Sequence, residues 1–500
     1  MTQLQLGRPS KASSTGRRDQ TSNHTVVLND DVLRSIFWLL DNVSLLLVMR
    51  TSPAIYWLAL EVLLARGVTL KSEEATSSFC AFMSAQDFSR APLIRNSLEL
   101  SSSNLSPTTA QALCSTLRRT TRLQKISIRD VDKLFRTAPE LVQVLAELQY
   151  LEEVDVVAQK WTDSVLIFLA TLRSRLTHLN VQFPSSLTPD NCGRSSEIIP
   201  IELLQRSAHT LRHIRIENVT MSAWADIVLP QVVHLHATAV QLPSTDVLAR
   251  TLPNLITLVV EEVYWDPEEP VDVDTAAARR CQNHYRQERY GSWPCLEWVT
   301  GPVVEVFSLG LVCPVYTLIL ESDRRSDMDW VMLETLLDFT PSLQELELTA
   351  IEDLYTLEWP YNGYEAVHDL TEFEGKAAHW EMHVWKTQDR LRETFEEYRN
   401  FFEKSRCKLH ELILQLCTPC FIRDCDPTAE PSHQEQSLEC PVVAGLRDYD
   451  VSGDAEAFFS AMPTLDTVEL VLMHHDDLVT RYRCAPVDEP VYGSMALVRS

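Results

Sequence analysis

Residues 228–261 read VLPQVVHLHATAVQLPSTDVLARTLPNLITLVVE. VVHLHA from Val232 and LITLVV from Leu255 share one six-residue figure, apolar-x-x-apolar-x-apolar. Its last two apolar positions alternate with polar ones, the signature of a strand with one buried face. The first apolar position lies three residues earlier, at the turn into the strand. Between the two figures runs a helical stretch, Asp246-Val-Leu-Ala-Arg250, and Pro230 and Pro253 each stand two residues before a figure. Proline pushes the residue before it out of the α region and so ends the helix. The unit reads helix, turn, strand.

The figure recurs on both sides of this stretch. It appears as LQKISI from Leu123, LEEVDV from Leu151, LTHLNV from Leu176 and LRHIRI from Leu211, then as VYTLIL from Val315, LQELEL from Leu343, LHELIL from Leu409 and LDTVEL from Leu465. Pro341 and Pro463 repeat the proline phase, and Met328–Asp338 and Ala455–Ser460 repeat the helix. About half of the intervals fit or nearly fit the 20–29 residues of a regular leucine-rich array; the long ones carry insertions. A helix–strand unit repeated in one direction cannot cover its own apolar face, so the units must stack. The expected fold is α/β: a curved solenoid over residues 71–500, with parallel strands inside and helices outside. Three insertions interrupt it. Residues 264–297 begin acidic and turn helical and basic, 364–405 read as a long charged helix, and 418–453 read as a Pro-, Cys- and acid-rich loop. The pattern resembles irregular leucine-rich repeats, without the Asn ladder that a tight consensus would place after the strands.

In such an array, positions three and five of each figure point away from the core. Neighbouring strands lie about 4.8 Å apart, so His178, His213 and His234 should form a ladder. Arg215 and His236 fall beside them, and Glu345 and Glu347 begin an acidic last third. These seven residues are the candidate partner-binding set, and the natural complement of the carboxylate end is a basic peptide segment.

Residues 25–70 form a different block: three short helices with wide apolar faces, preceded by a tail, 1–24, expected to be disordered. Asn29 or the aspartate after it suits an N-cap, Ser44 a second cap, and Pro53 the first turn of the third helix. The block is too small to bury all its apolar side chains alone. Leu28, Asp30, Asp31, Val32, Leu33, Ile36, Phe37, Leu40, Asp41, Leu45 and Leu46 make it resemble an F-box of the fungal type. Asn29 stands where that family usually has proline. The resemblance implies docking to a Skp-type adaptor of a cullin–RING ubiquitin ligase, through Leu28, Val32, Leu33, Ile36, Phe37, Leu40, Leu45 and Leu46. The chain would then be a substrate-recognition subunit, its solenoid holding a target protein. The alternative is a repeat scaffold without a ligase role, its N-terminal helices capping the array.

Composition narrows the classes further. A net charge of −26 argues against phosphate-backbone binding, so no nucleic-acid partner is expected. No run of 18 apolar residues is present, so no membrane partner is expected, and a cytoplasmic or nuclear location with reduced thiols follows from the lack of a secretory signal. His379 and His383 lie four apart in HWEMH, but Trp380 stands where a metalloprotease needs Glu. Cys417 and Cys420 form a single CxxC, with Cys407, Cys425, His433 and Cys440 nearby, and zinc sites of that kind use paired motifs. His474 and His475, followed by Asp476 and Asp477, end the last strand, where adjacent side chains point to opposite faces. With no nucleophile elbow, P-loop or HExxH, neither enzymatic activity nor a cofactor or metal is expected.

Overall fold

The computed structural model describes residues 29–102, 104–160, 162–183, 201–219, 221, 227–263, 273–323, 327–351, 373–404, 409–418, 441–474 and 477–485. The N-terminal tail and Leu28 lie outside these residues. The chain divides into two compact units, and the division falls between Arg66 and Gly67.

The first unit is helical. Helix α1 (Asp30–Leu39) starts where the Asn29 side chain accepts the Asp31 N–H at 2.6 Å, and Asp30 and Asp31 favour the positive end of its dipole. Helix α2 (Asn42–Val48) is capped by Asp41, which accepts the Ser44 N–H at 2.6 Å. Ser44, the expected cap, therefore sits inside the first turn, because the more acidic Asp41 is placed to take the orphan donors. Helix α3 (Pro53–Ala65) begins at Ser52, with Pro53 in the first turn. Arg66 then reaches back and donates to the carbonyls of Phe37 at 2.6 Å and Trp38 at 2.9 Å. It thereby satisfies acceptors that the end of α1 leaves open.

The second unit is a repeat-like α/β solenoid on one continuous sheet. Its strands are β1 (Val68–Leu70), β2 (Ser97–Leu100), β3 (Lys125–Ile128), β4 (Glu153–Val157), β5 (His178–Gln182), β6 (His213–Glu217) and β7 (His234–Thr238). They continue with β8 (Thr257–Glu261), β9 (Leu296–Pro302), β10 (Val315–Asp323), β11 (Glu345–Ile351), β12 (Glu411–Thr418), β13 (Thr467–His474) and β14 (Asp477–Cys484). Spatial order follows chain order, and every pairing is parallel except β13 with β14. All ten figures read from the sequence lie in this sheet, one per strand. Backbone hydrogen bonds between residues at the second position of each figure link the rungs. They step from Gln124 through Glu152, Thr177, Arg212, Val233 and Ile256 to Glu297, and again from Tyr316 through Gln344 and His410 to Asp466, at 2.7–2.9 Å.

The repeat has a second mark that the sequence hides. Asp130, Asn218, Ala239 and Glu262 all have φ near +50°, and each stands seven residues after the start of its figure. In these four repeats the chain leaves the strand through a left-handed residue at the same position, and none of the four is glycine. Apolar residues at positions one, four and six of each figure stack as ribs of the core. Leu211, Ile214 and Ile216, then Val232, Leu235 and Ala237, then Leu255, Leu258 and Val260 are each at most 2% exposed. Each large aliphatic side chain so buried contributes roughly 1.5–3 kcal/mol.

Helices α4 (Glu73–Ser84), α5 (Pro107–Leu117), α6 (Val131–Thr137), α7 (Glu140–Ala146), α8 (Asp163–Thr171), α9 (Ile201–Ser207) and α10 (Thr245–Thr251) flank the sheet. They are followed by α11 (Val273–Tyr290), α12 (Val303–Ser308), α13 (Asp327–Phe339), α14 (Phe373–Lys404), α15 (Pro441–Asp448) and α16 (Ser452–Ala461). The insertion helix α11 is fastened by polar bonds. Asn283 donates to the Ser308 carbonyl at 2.9 Å, and Gln287 to those of Leu309 and Gly310 at 3.1 and 2.8 Å. Its Arg286, with Arg250 of α10, faces the buried carboxylate of Asp246.

Four strands escape the sequence figure. In β1 and β2 its first apolar position would fall on Ala65 and Arg95. β1 also shifts the start of the solenoid from residue 71 to within the stretch assigned to the helical block. β9 reads LEWVTG, with Gly301 in the last apolar position because any Cβ there would collide with the Val260 carbonyl of β8. Its Leu296 belongs to the sheet, so the insertion read as 264–297 ends sooner. β14 carries no figure because it is antiparallel. The stretch 418–453 is not all loop, since Pro441–Asp448 is helical and α16 begins at Ser452.

Candidate partner-binding face

Because the pairing register is regular, side chains that point away from the core line up in rows across the strands. One row runs Lys125, Glu153, His178, His213, His234, Thr257, Trp298, Thr317, Glu345, Glu411, Thr467. The expected histidine ladder is present as a stack. The rings of His178 and His213 lie 4.2 Å apart at 3°, and those of His213 and His234 lie 4.5 Å apart at 10°. Strand spacing alone brings these rings to within contact. His178 Nδ1 lies 2.9 Å from Thr177 Oγ1 and 3.8 Å from Glu153, whose other oxygen meets Lys125 Nζ at 2.9 Å.

Two rings of the stack favour the neutral form. Burial pushes His213 below its ordinary 6.5, and its two stacked neighbours, then Arg212, add to the effect against Glu153. Burial also lowers His234, with Glu297 opposing and His178 assisting. Both rings are therefore uncharged at neutral pH and offer one donor and one acceptor each.

In the next row Asp155 is fully occupied. It accepts from Ser127 at 2.8 Å and Asn180 at 2.9 Å, with Arg129 3.9 Å away. Arg215 is exposed between Asn180 and His236 and forms no ion pair among the described residues. His236 lies 3.4 Å from Glu261, which also accepts from Thr238 at 3.1 Å.

The acidic end differs from the open field that the sequence suggests, because part of it is answered from within the chain. Strand β14 brings Arg481 onto the buried Glu469, and Arg483 to 2.9 Å from Glu411. That leaves Glu345 and Glu347 without a cationic partner among the described residues. Glu345 accepts from Thr317 at 3.1 Å, and Glu347 accepts from Gln415. Burial raises the Glu347 carboxyl, and Glu345 and Glu469 raise it further. At the end of β8, burial pushes Glu305 of α12 up to about 7, against bonds from the N–H groups of Val263 and Glu262.

Sequence reasoning missed Trp298. It is 53% exposed on this face, two strands from His234 and two from Glu345. The signal was the LEWVTG figure, masked by its terminal glycine.

In the first unit, the residues assigned to an adaptor contact separate by burial. Val32 is 44% exposed, Ile36 39% and Leu46 51%, Leu33 and Leu40 are half-buried, and Phe37 and Leu45 are buried. Phe37 and Leu45 pack within the unit. Trp38, Leu39, Val43, Leu47 and Trp57 add to the exposed apolar set.

Among the described residues no group of three or more His, Cys, Asp or Glu could hold a metal ion. Cys407, Cys420, Cys425, His433 and Cys440 lie outside those residues, as do His475 and Asp476. The side chains of His379 and His383, on α14, and of Cys417, on β12, lie outside them too. Among the described residues no helix is long and apolar enough to cross a membrane.

Fold and face together define the class: an α/β solenoid suited to protein–protein interaction, presenting one long polar sheet surface. No protein-family model matches the chain, and no curated protein matches it.

Proposed function

We propose that this chain is a protein-interaction solenoid of leucine-rich-repeat type that holds a partner protein on its sheet face. The observation that carries this reading is the ordered row of side chains across that face, where stacked imidazoles, an exposed tryptophan and carboxylates without a cationic partner among the described residues succeed one another. A rigid array of this kind offers many fixed contact points at little entropic cost to itself. No catalytic group is needed, and the contribution to any reaction is proximity.

A second, finer reading is favoured by the first unit. Its helices leave Val32, Ile36, Leu39, Val43, Leu46 and Leu47 at 39–87% exposure, more apolar surface than a block of this size leaves without purpose. Such a surface fits the docking of a Skp-type adaptor, which would make the chain the substrate-recognition subunit of a cullin-based ubiquitin ligase. The test is co-purification. Wild-type chain should bring down the Skp adaptor and cullin, and Val32→Asp with Ile36→Asp and Leu46→Asp should lose at least nine-tenths of both. These three positions are exposed, so the variant should keep its fold by circular dichroism. Adaptor absent from both samples would remove the ligase reading and leave the scaffold.

A further inference from the structure

We propose that the partner presents a basic segment to the sheet face, seated on Trp298 with its cationic side chains directed at Glu345 and Glu347. This rests on the interaction reading above and names the chemistry of the segment. Three observations converge on it. First, Trp298 is a large aromatic more than half exposed at the centre of a polar sheet face, flanked in its row by Thr257 and Thr317. Tryptophans so placed are the commonest anchors of protein interfaces. Second, Glu411 and Glu469 are answered by arginines of the last strand, while Glu345 and Glu347 have no cationic partner among the described residues. The charge of Arg481 acts on Glu347, but Arg481 is committed to Glu469. Third, the spacing suits one extended segment. Trp298 and Glu345 are two strands apart, about 10 Å, while alternate side chains of an extended chain repeat at roughly 7 Å. A lysine or arginine can thus lie over the indole face while a second, two to four residues away, meets the carboxylates.

The rest of the face agrees. His213 and His234 are neutral, so they neither repel a basic segment nor attract an acidic one. Arg215 lies three strands from Trp298, on the middle strand of the stack, and marks where a basic segment must end.

The test uses the full chain and two fluorescein-labelled ten-residue peptides, one alternating glycine with lysine and one alternating glycine with glutamate. Binding is read by fluorescence anisotropy at about 0.15 M salt, where long-range attraction to the net negative charge is screened. The lysine peptide should bind and the glutamate peptide should not. Trp298→Ala leaves the net charge untouched, yet it should raise Kd at least tenfold. Trp298→Phe should stay within about threefold of wild type, and Glu345→Gln with Glu347→Gln should match the alanine loss. Equal binding by wild type and Trp298→Ala, or no binding of the lysine peptide, overturns the inference. If the chain still captures partner proteins while the lysine peptide fails to bind, only the basic-segment inference falls.

Discussion

Glu305→Gln should stabilise the protein at pH 8 by on the order of 2 kcal/mol and flatten its stability between about pH 5 and 7. In the folded chain the Glu305 carboxyl holds its proton up to about pH 7, because burial disfavours the charged form and Glu262 and Glu261 add repulsion. In the unfolded chain it releases the proton near 4.5. The folded state therefore binds more protons between these values. The stability this group contributes is full below about 4.5 and is lost as pH rises through 7. A shift of this size corresponds to roughly 3 kcal/mol at 1.36 kcal/mol per pKa unit, and glutamine gives back about 1 for the acceptor it lacks. Urea unfolding of both proteins from pH 4 to 8 measures it. A variant less stable than wild type at pH 8, or one that keeps the same slope, contradicts the assignment.

Replacing Arg481 and Arg483 together by alanine should cost about 2 kcal/mol. The change strands the Glu469 carboxylate, 2% exposed, without a cation. Removing one side of a buried pair typically costs about 3–5 kcal/mol. Both arginines are about 60% exposed, so solvent already screens much of the attraction and the expected loss is smaller. Glu469→Gln in the same background should recover part of the loss, since a neutral amide needs no counter-charge. Thermal melts of wild type, double and triple variants separate the outcomes. A double variant that melts with wild type would mean β14 is held by its backbone pairing and its packing on α15 and α16 alone.

The architecture was legible because the repeat is written in burial. Every figure with apolar residues at positions one, four and six became a strand, in order and in phase, and the histidine stack followed from that phase alone. What stayed hidden lacks that signature. β2 has Arg95 where the figure has its first apolar residue, and the buried Ile94 stands one place earlier. β9 closes on Gly301, where the neighbouring backbone leaves no room for a methyl group, and Trp298 was hidden with it. β14 runs the other way, so neither its cap on the sheet nor its arginines could be read as answering the carboxylates of β12 and β13. The left-handed residues at Asp130, Asn218, Ala239 and Glu262 repeat in geometry but not in chemistry. In the first unit, periodicity marked an apolar face but could not say that Phe37 and Leu45 turn inward while Ile36 and Leu46 turn out, since one helical step separates each pair.

The sheet face, and not the flanking helices, is proposed to hold the partner. Quantitative affinity capture compares wild type with a single variant carrying His178→Ala, His213→Ala, His234→Ala and Trp298→Ala, its fold checked by circular dichroism. This variant should lose the captured proteins at least tenfold while retaining whatever binds the first unit. Capture of the same proteins in the same amounts by both chains would contradict it.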